Sequence, residues 1–411
     1  MGRCAGCVAA VLLMALTEAA LPASEPPKES APLGMPFVYE NWEVFTTENT
    51  KDSLPNDHIF ALKADGPRVW IGTEDGLACY EEGKFKSWNK KDGLPWQVIT
   101  GIDVSPLTGD VWLALLGGGL CRFSGGRFDH FHQFNSGLVN DVVYGVAVQD
   151  HTIWAATTAG VSSYDTVTGE WTIYTEKNAP MEEIWCYNIS YAEGTVYVAV
   201  WGGGILEWDV KLKRWRAHLD PDGEMEIDLY RDDGLIHIIT TAASCSSGIL
   251  WASTYFGVSR YDGRHWRGYM DHDSGLVSTF VNFIKSRDQE GWSCTDKGLS
   301  AMVDFPTDTW VTYTKNEKDN DGTAVISRGK EVIKTVPTKG AIPNNFVICV
   351  EFQGDDVWVG TSKGLARGIG KGRWVGLKPE GEKTPARAAG AERRPAMMSS
   401  PAAVSGIAAN N

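Results

Sequence analysis

Short runs of alternating apolar and polar residues, separated by glycine, asparagine and aspartate turns, fill most of this chain, and that period of two predicts strands rather than helices. One unit recurs. Val69-Trp70-Ile71-Gly72-Thr73-Glu74-Asp75-Gly76-Leu77 sets an aromatic anchor among β-branched residues and a glycine six positions on. The same spacing joins Trp112 to Gly118, Trp154 to Gly160, Tyr197 to Gly203, Trp251 to Gly257, Trp292 to Gly298 and Trp358 to Gly364. Successive anchors stand 42, 42, 43, 54, 41 and 66 residues apart, so the chain is an array of seven copies of one supersecondary unit.

Two further patterns accompany each anchor. Upstream, an apolar residue (Leu54, Leu94, Leu138, Ala179, Leu235, Leu276, Ile342) precedes it by 16 or 18 positions, a difference of two that keeps strand parity. Seven residues into this upstream element stand Ala61, Gly101, Gly145, Cys186, Ala242, Phe283 and Cys349, mostly small, as convergence of strands on an axis requires. Downstream, aromatic pairs three apart (Phe85/Trp88, Phe128/Phe131, Trp171/Tyr174, Trp215/His218, Trp266/Tyr269, Trp310/Tyr313) put bulk on both faces of an outer strand. Each unit therefore reads as four strands covered on both sides, and seven of them predict an all-β fold, a seven-bladed β-propeller of four-stranded antiparallel blades over residues 37–377. The glycine is expected in the turn between second and third strands, at positive φ. Pairs also occur at Trp42/Phe45 and Trp374/Leu377, so either chain end can supply the last outer strand, and a latch by Trp42 is expected. Two connections are long: one around Asp220, Asp222 and Gly223, the other with alternating runs at 323–326 and 331–336 that predict an extra hairpin.

Composition agrees with many equivalent sheet-on-sheet interfaces: 17 Trp, 13 Tyr and 14 Phe, with 45 Gly for turns. Thirty-eight basic against 52 acidic residues give a formal charge of -14, which argues against nucleic acid or anionic lipid as partner. Residues 1–23 read as a secretory signal, with Arg3, an apolar run over 5–16 and Leu21-Pro22-Ala23 before Ser24; an uncleaved anchor is the alternative. A flexible lead-in over 24–36 and a disordered tail over 378–411 complete the expected organisation, that of a periplasmic or secreted protein with no stable membrane insertion once the signal is removed. Beyond Cys4 and Cys7, the six cysteines 79, 121, 186, 245, 294 and 349 fall in different repeats within strand sequence, so buried thiols are expected over disulfides.

The stretches 54–80, 341–365 and 138–164, of the form G-L-P-x-[DN]-x-[IV] followed by V-W-[IV]-G-T-x-x-G-[LV], resemble the two-component-regulator propeller repeat, and the resemblance extends over 37–377. It implies the scaffold found in periplasmic sensor parts of hybrid histidine kinases, where such propellers occur in pairs followed by an immunoglobulin-like domain. For some members it implies binding of carbohydrate-derived ligands. This sequence shows one propeller and no kinase or receiver region, so a sensor-type or accessory module without kinase activity is expected.

Candidate chemistry is sought at one face, where inner strands begin and second strands turn into third. Asp57, His58, Trp96, Gln97, Asn140, Asp141, Glu182, Glu183, His237, Ser278, Thr279, Asn344 and Asn345 are expected around the channel mouth, with Glu74, Asp75, Trp201, Tyr255, Phe256, Asp296 and Lys297 at the turns. Carboxylates, amides and aromatics together suit a small polar molecule, such as a carbohydrate-derived one, or a protein partner such as a membrane sensor. Asp and Asn at such positions also satisfy turn amides. No cofactor is expected: Gly117-Gly118-Gly119 and Gly202-Gly203-Gly204 lead into strand sequence, not a helix. No metal is expected either. Glu317, Asp319 and Asp321 mimic a calcium loop but meet Arg328 where its bidentate glutamate belongs, and His130 with His132 lacks a third ligand. A lyase or hydrolase built on Glu183, His58 and His237 is the alternative to a binding module, and a structural interaction module of the cell envelope is a third.

Overall fold

The computed structural model describes residues 34–220 and 234–379, and the seven predicted units are seven antiparallel sheets. In blade 1 the strands Ile59–Asp65, Arg68–Thr73, Gly76–Glu81 and Lys84–Trp88 pair in sequence order from the axis outward. Blades 2 to 5 repeat this order with inner strands Ile99–Val104, Val143–Gln149, Cys186–Ala192 and Thr240–Ser246. Residues 1–23, expected to be a signal, most of the expected lead-in and tail, and the long connection after Asp220 lie outside the described residues.

Blade 7 joins the chain ends. Its inner three strands, Val347–Gln353, Asp356–Thr361 and Gly364–Gly368, are completed by Trp42–Phe45, paired Trp42 to Gly368 and Phe45 to Leu365. The second aromatic pair serves elsewhere: Trp374 packs edge-on against Phe37 with centroids 5.1 Å apart. Beside it Met35 and Lys378 exchange backbone hydrogen bonds of 2.6 and 2.9 Å, so ordered structure reaches slightly into the expected lead-in and tail.

The predicted hairpin exists as Gly322–Arg328 and Glu331–Thr338, but it does not sit over the mouth. It continues blade 6 outward as fifth and sixth strands, pairing along Thr309–Lys315, because Ala324 and Ile326 bury their side chains with Val311 and Tyr313. Asp319, in the calcium-like stretch, accepts from Asn316 and from the Asp321 amide, and no metal-holding group of three ligands occurs among the described residues.

The recurrent glycine has a sharper reason than positive φ. It is the first residue of each third strand, and a Cβ there would meet the carbonyl oxygen ending the outer strand: 2.3 Å from Tyr174 O at Gly160, and 2.3 Å from Tyr269 O at Gly257. In five blades a threonine three residues past the anchor closes the turn, as Thr157 Oγ1 does by donating to Gly160 O at 2.8 Å. Blades 2 and 4 carry Leu115 and Val200 instead. Their turns take one more residue, and the glycine role passes from Gly118 and Gly203, which do not have positive φ, to Gly119 and Gly204, where φ is 79° and 69°. Blade 4 also shifts upstream: buried Met181, not Ala179, takes the Leu54 position, and Asn188, not Cys186, takes that of Ala61.

Core clusters straddle neighbouring blades rather than filling one. Trp70 and Leu77 of blade 1 pack with Leu113 and Phe123 of blade 2, and Tyr80 of blade 1 with Trp358 of blade 7. All six cysteines among the described residues are free thiols, and burial pushes those of Cys79 and Cys245 up to about 11.

Candidate functional site: the channel and its mouth

Every inner strand carries a β-bulge near its start, between Ile59 and Ala61 in blade 1 and at the matching place in the other six. A bulge re-aims one side chain. The residues thus singled out are Phe60, Thr100, Tyr144, Tyr187, Thr241, Asn282 and Ile348, and all seven line a central cavity of about 510 Å³. Thr100, Thr241 and Asn282 spend their donors on the next blade, on the Val143, Val281 and Val347 carbonyls at 2.8, 2.8 and 2.9 Å. Phe60, Tyr144, Tyr187 and Ile348 give the cavity its apolar wall.

Two residues upstream of each bulge lies a second tier that includes His58, Trp185, Phe280 and Phe346. Its carbonyls accept from the first residue of the second turn in all seven blades, for example Trp201 N to Trp185 O at 2.9 Å and Tyr255 N to Ile239 O at 3.3 Å. Those ties fix an arc of rings across blades 3 to 6. Tyr144 stacks on Tyr187 at 4.8 Å, Tyr187 meets Trp201 at 5.5 Å, Trp201 meets Tyr255 edge-on at 4.9 Å, and Tyr255 stacks on Phe280 at 4.1 Å. Trp185, 41% exposed, extends the arc at 6.0 Å from Trp201, and Phe346, 40% exposed, faces the mouth from blade 7. Burial is the main cause raising the Tyr144 and Tyr187 phenols, which therefore stay protonated and able to donate.

Three residues beyond the bulges the wall becomes polar. Blades 6, 7, 1 and 2 contribute Lys285, Glu351, Lys63 and Asp103, alternating in sign. Lys285 Nζ is 3.0 Å from Glu351 Oε2 and Lys63 Nζ is 2.6 Å from Asp103 Oδ1. The equivalent residues of blades 4 and 5, Ser190 and Ser244, bond the Ala243 carbonyl and Ser286 at 2.8 Å each. One side of the channel is ionic, the other neutral.

The predicted residues divide. His58, Tyr255 and Trp201 belong to the mouth, and His58 stacks on Phe60 at 4.4 Å with Glu74 3.7 Å from its Nδ1. Most of the predicted polar ring bonds backbone amides. Asn140 and Asn344 accept from the amides two residues on at 2.7 and 2.6 Å, and His237 Nδ1 does the same from Ile239 N at 3.0 Å. Asp57, Asp141 and Asn345 accept from Thr47 N, Gln133 N and Lys315 N at 2.7 to 2.8 Å, capping the connection that enters their blade. The Gln97 carbonyl, with those of Asp57, Asp141 and Thr279, receives the amide of the neighbouring blade's turn glycine. Trp96 lies over Gly117 and Gly118 with Lys90 5.2 Å above its ring, and does not line the cavity. Phe256 packs on His237 at 4.1 Å, the amides of Asp75 and Lys297 donate to Thr73 and Thr295, the Asp296 amide donates to the Phe280 carbonyl while its buried Oδ1 has no hydrogen-bond partner, and Glu183 is exposed beside Gly202. Glu183, His58 and His237 stand in blades 4, 1 and 5, the two histidines in local contacts. His130 Nε2 is 2.6 Å from the Gly118 carbonyl.

Sequence reasoning missed Phe60, Tyr144, Tyr187, Phe280, Phe346 and the ionic row. A signal was present: the bulge column reads Phe, Thr, Tyr, Tyr, Thr, Asn, Ile between two columns that are apolar or small at every position but Asn188. Variation inside a regular strand marks side chains the scaffold does not need.

No protein-family model and no curated protein sequence matches the chain. Among solved structures it is similar to the extracellular domain of the BT3049 hybrid two-component system of B. thetaiotaomicron, with a TM-score of 0.59 and 16% identity over 79% of this chain and 41% of that one. The BT4673 hybrid two-component system of the same organism gives 0.60 and 12%, over 80% and 40%. The chain spans about two fifths of the length of these neighbours. At such identities the likeness is one of fold, and the sensor-propeller resemblance read from the repeats holds at that level. No helix of the described residues is long and apolar enough to cross a membrane.

Proposed function

We propose that this protein is a sensor-type or accessory propeller that binds a small ligand in the channel mouth and acts through that binding. The continuous arc from Tyr144 to Phe280, open to solvent at Trp185 and set over a polar wall, is the observation that carries the reading. Flat rings accept the face of a ring-shaped molecule, and the phenols and deeper groups bond its edge. A cavity of about 510 Å³ is in the range that holds a small molecule. The neighbours' placement as extracellular parts of two-component systems supports a sensing role, and with the signal-like residues 1–23 it supports export to the periplasm or beyond, where a membrane sensor would be the natural partner.

Intrinsic fluorescence and melting temperature of the full chain, titrated with a panel of carbohydrates and ring-bearing metabolites, test this. A saturable change is expected from Trp185 and Trp201, lost in Tyr255→Ala and kept in Trp96→Ala, whose ring lies outside the cavity. A response that survives Tyr255→Ala and disappears in Trp96→Ala would move the site off the channel.

A further inference from the structure

The ionic row in the channel is asymmetric in what it leaves unused. Asp103 takes Lys63 and the Val104 amide on Oδ1, 2.6 and 2.9 Å away, and the Val148 amide on Oδ2 at 2.7 Å. Glu351 takes Lys285 on Oε2 and the Phe352 amide on Oε1, at 3.0 and 2.8 Å. Both carboxylates are thus occupied on both oxygens and recessed, with side chains 16% and 8% exposed. The two lysines are 30% exposed each, and each ammonium carries three donors of which one carboxylate takes one. Every carboxylate oxygen already accepts a bond and is recessed, while the ammonium groups are more exposed and keep spare donors.

Resting on the ligand-binding reading above, we infer that Lys63 and Lys285 form a carboxylate subsite, so that the ligand is a small monocarboxylate whose ring lies against the aromatic arc. The two lysines flank Glu351 from blades 1 and 6, and both line the cavity that contains Tyr144, Tyr187 and Tyr255. Burial opposes the charge of Lys63, but Asp103 and Glu351 outweigh it, so the ammonium persists at neutral pH. An incoming carboxylate completes the alternation of charge with charge-assisted bonds, whereas a neutral hydroxyl or amide gains weaker ones.

Matched probes separate the subsite from the mouth: benzoate with benzamide, cyclohexanecarboxylate with its amide, galacturonate with galactose. Titration calorimetry on the full chain should show at least one acid binding tenfold or more tighter than its neutral partner, with the gap narrowing as salt is raised. Lys285→Met strands Glu351, so the folded control is the double variant Lys285→Met with Glu351→Gln, which keeps Lys63 and should cut the preference for acid over neutral partner by about threefold or more while leaving neutral binding in place. Neutral members that match their acids, or a preference undiminished in the double variant, overturn the subsite and leave the mouth intact. Absence of binding by every acid and every neutral probe counts against both.

Discussion

A carbonyl oxygen, not a side chain, enforces the most regular residue of this protein. Because Gly160 would place a Cβ 2.3 Å from Tyr174 O, and has a φ of 108°, alanine there must push the outer strand away. Gly160→Ala should cost roughly 2–4 kcal/mol in chemical denaturation, as a backbone clash adds to left-handed strain. At Gly83, where φ is 82° and no atom lies within 4 Å, alanine should cost only about 1 kcal/mol. Equal losses would remove the clash from the explanation. His237 gives a second residue-level test. Its Nδ1 accepts from Ile239 N at 3.0 Å where blades 1, 3 and 7 use asparagine, and burial lowers its pKa below the ordinary value. The unfolded chain then takes up the proton first, so the contribution of this site is full above about pH 6.5 and falls as pH drops from there towards the folded value. His237→Asn keeps the turn bond without the titration, and the decline of stability between pH 6.5 and 5 should be smaller in it than in the parent.

Strand pairing decides which end of the chain matters. Trp42 is 8% exposed, donates from Nε1 to Tyr39 O at 3.0 Å and meets Tyr313 at 5.5 Å, whereas Trp374 is half-buried and packs outside the sheets. Trp42→Ala should therefore destabilise by about 3–5 kcal/mol in denaturant titration and Trp374→Ala by distinctly less; the reverse order would place the latch at the other end. At this scale the sequence was most legible. Anchors, glycines, outer pairs and the latch obey a constraint shared by every blade, so repetition exposes them. What escaped came from departures of single residues. The missing threonine at Leu115 and Val200 lengthens two turns by one residue, and the bulge beside Ile59 and its counterparts reverses which side chain enters the channel. Asn140 and Asp141 read equally well as ligands or as turn acceptors until the amides of Val142 and Gln133 are seen against them. The hairpin at 322–338 was legible as strands, but its place at the rim depended on Ala324 and Ile326 finding Val311 and Tyr313.

Seen whole, seven sheets form a ring whose channel wall does not repeat, with aromatics over blades 3 to 6 and charges over blades 6, 7, 1 and 2. Trp185 and Phe346 stay 41% and 40% exposed at the mouth, and the proposed binding would cover them. Glu183, His58 and His237 stand in blades 4, 1 and 5, with His58 stacked on Phe60 and His237 packed on Phe256. The most direct measurement is the melting temperature of the full chain across ring-bearing acids and their neutral partners, repeated in Tyr255→Ala. The account predicts a saturable rise of several degrees for at least one compound, which for binding at a hundred times its Kd corresponds to about 2.7 kcal/mol, abolished in the variant. A rise of the same size in Tyr255→Ala, or a flat response to the entire panel, would contradict it.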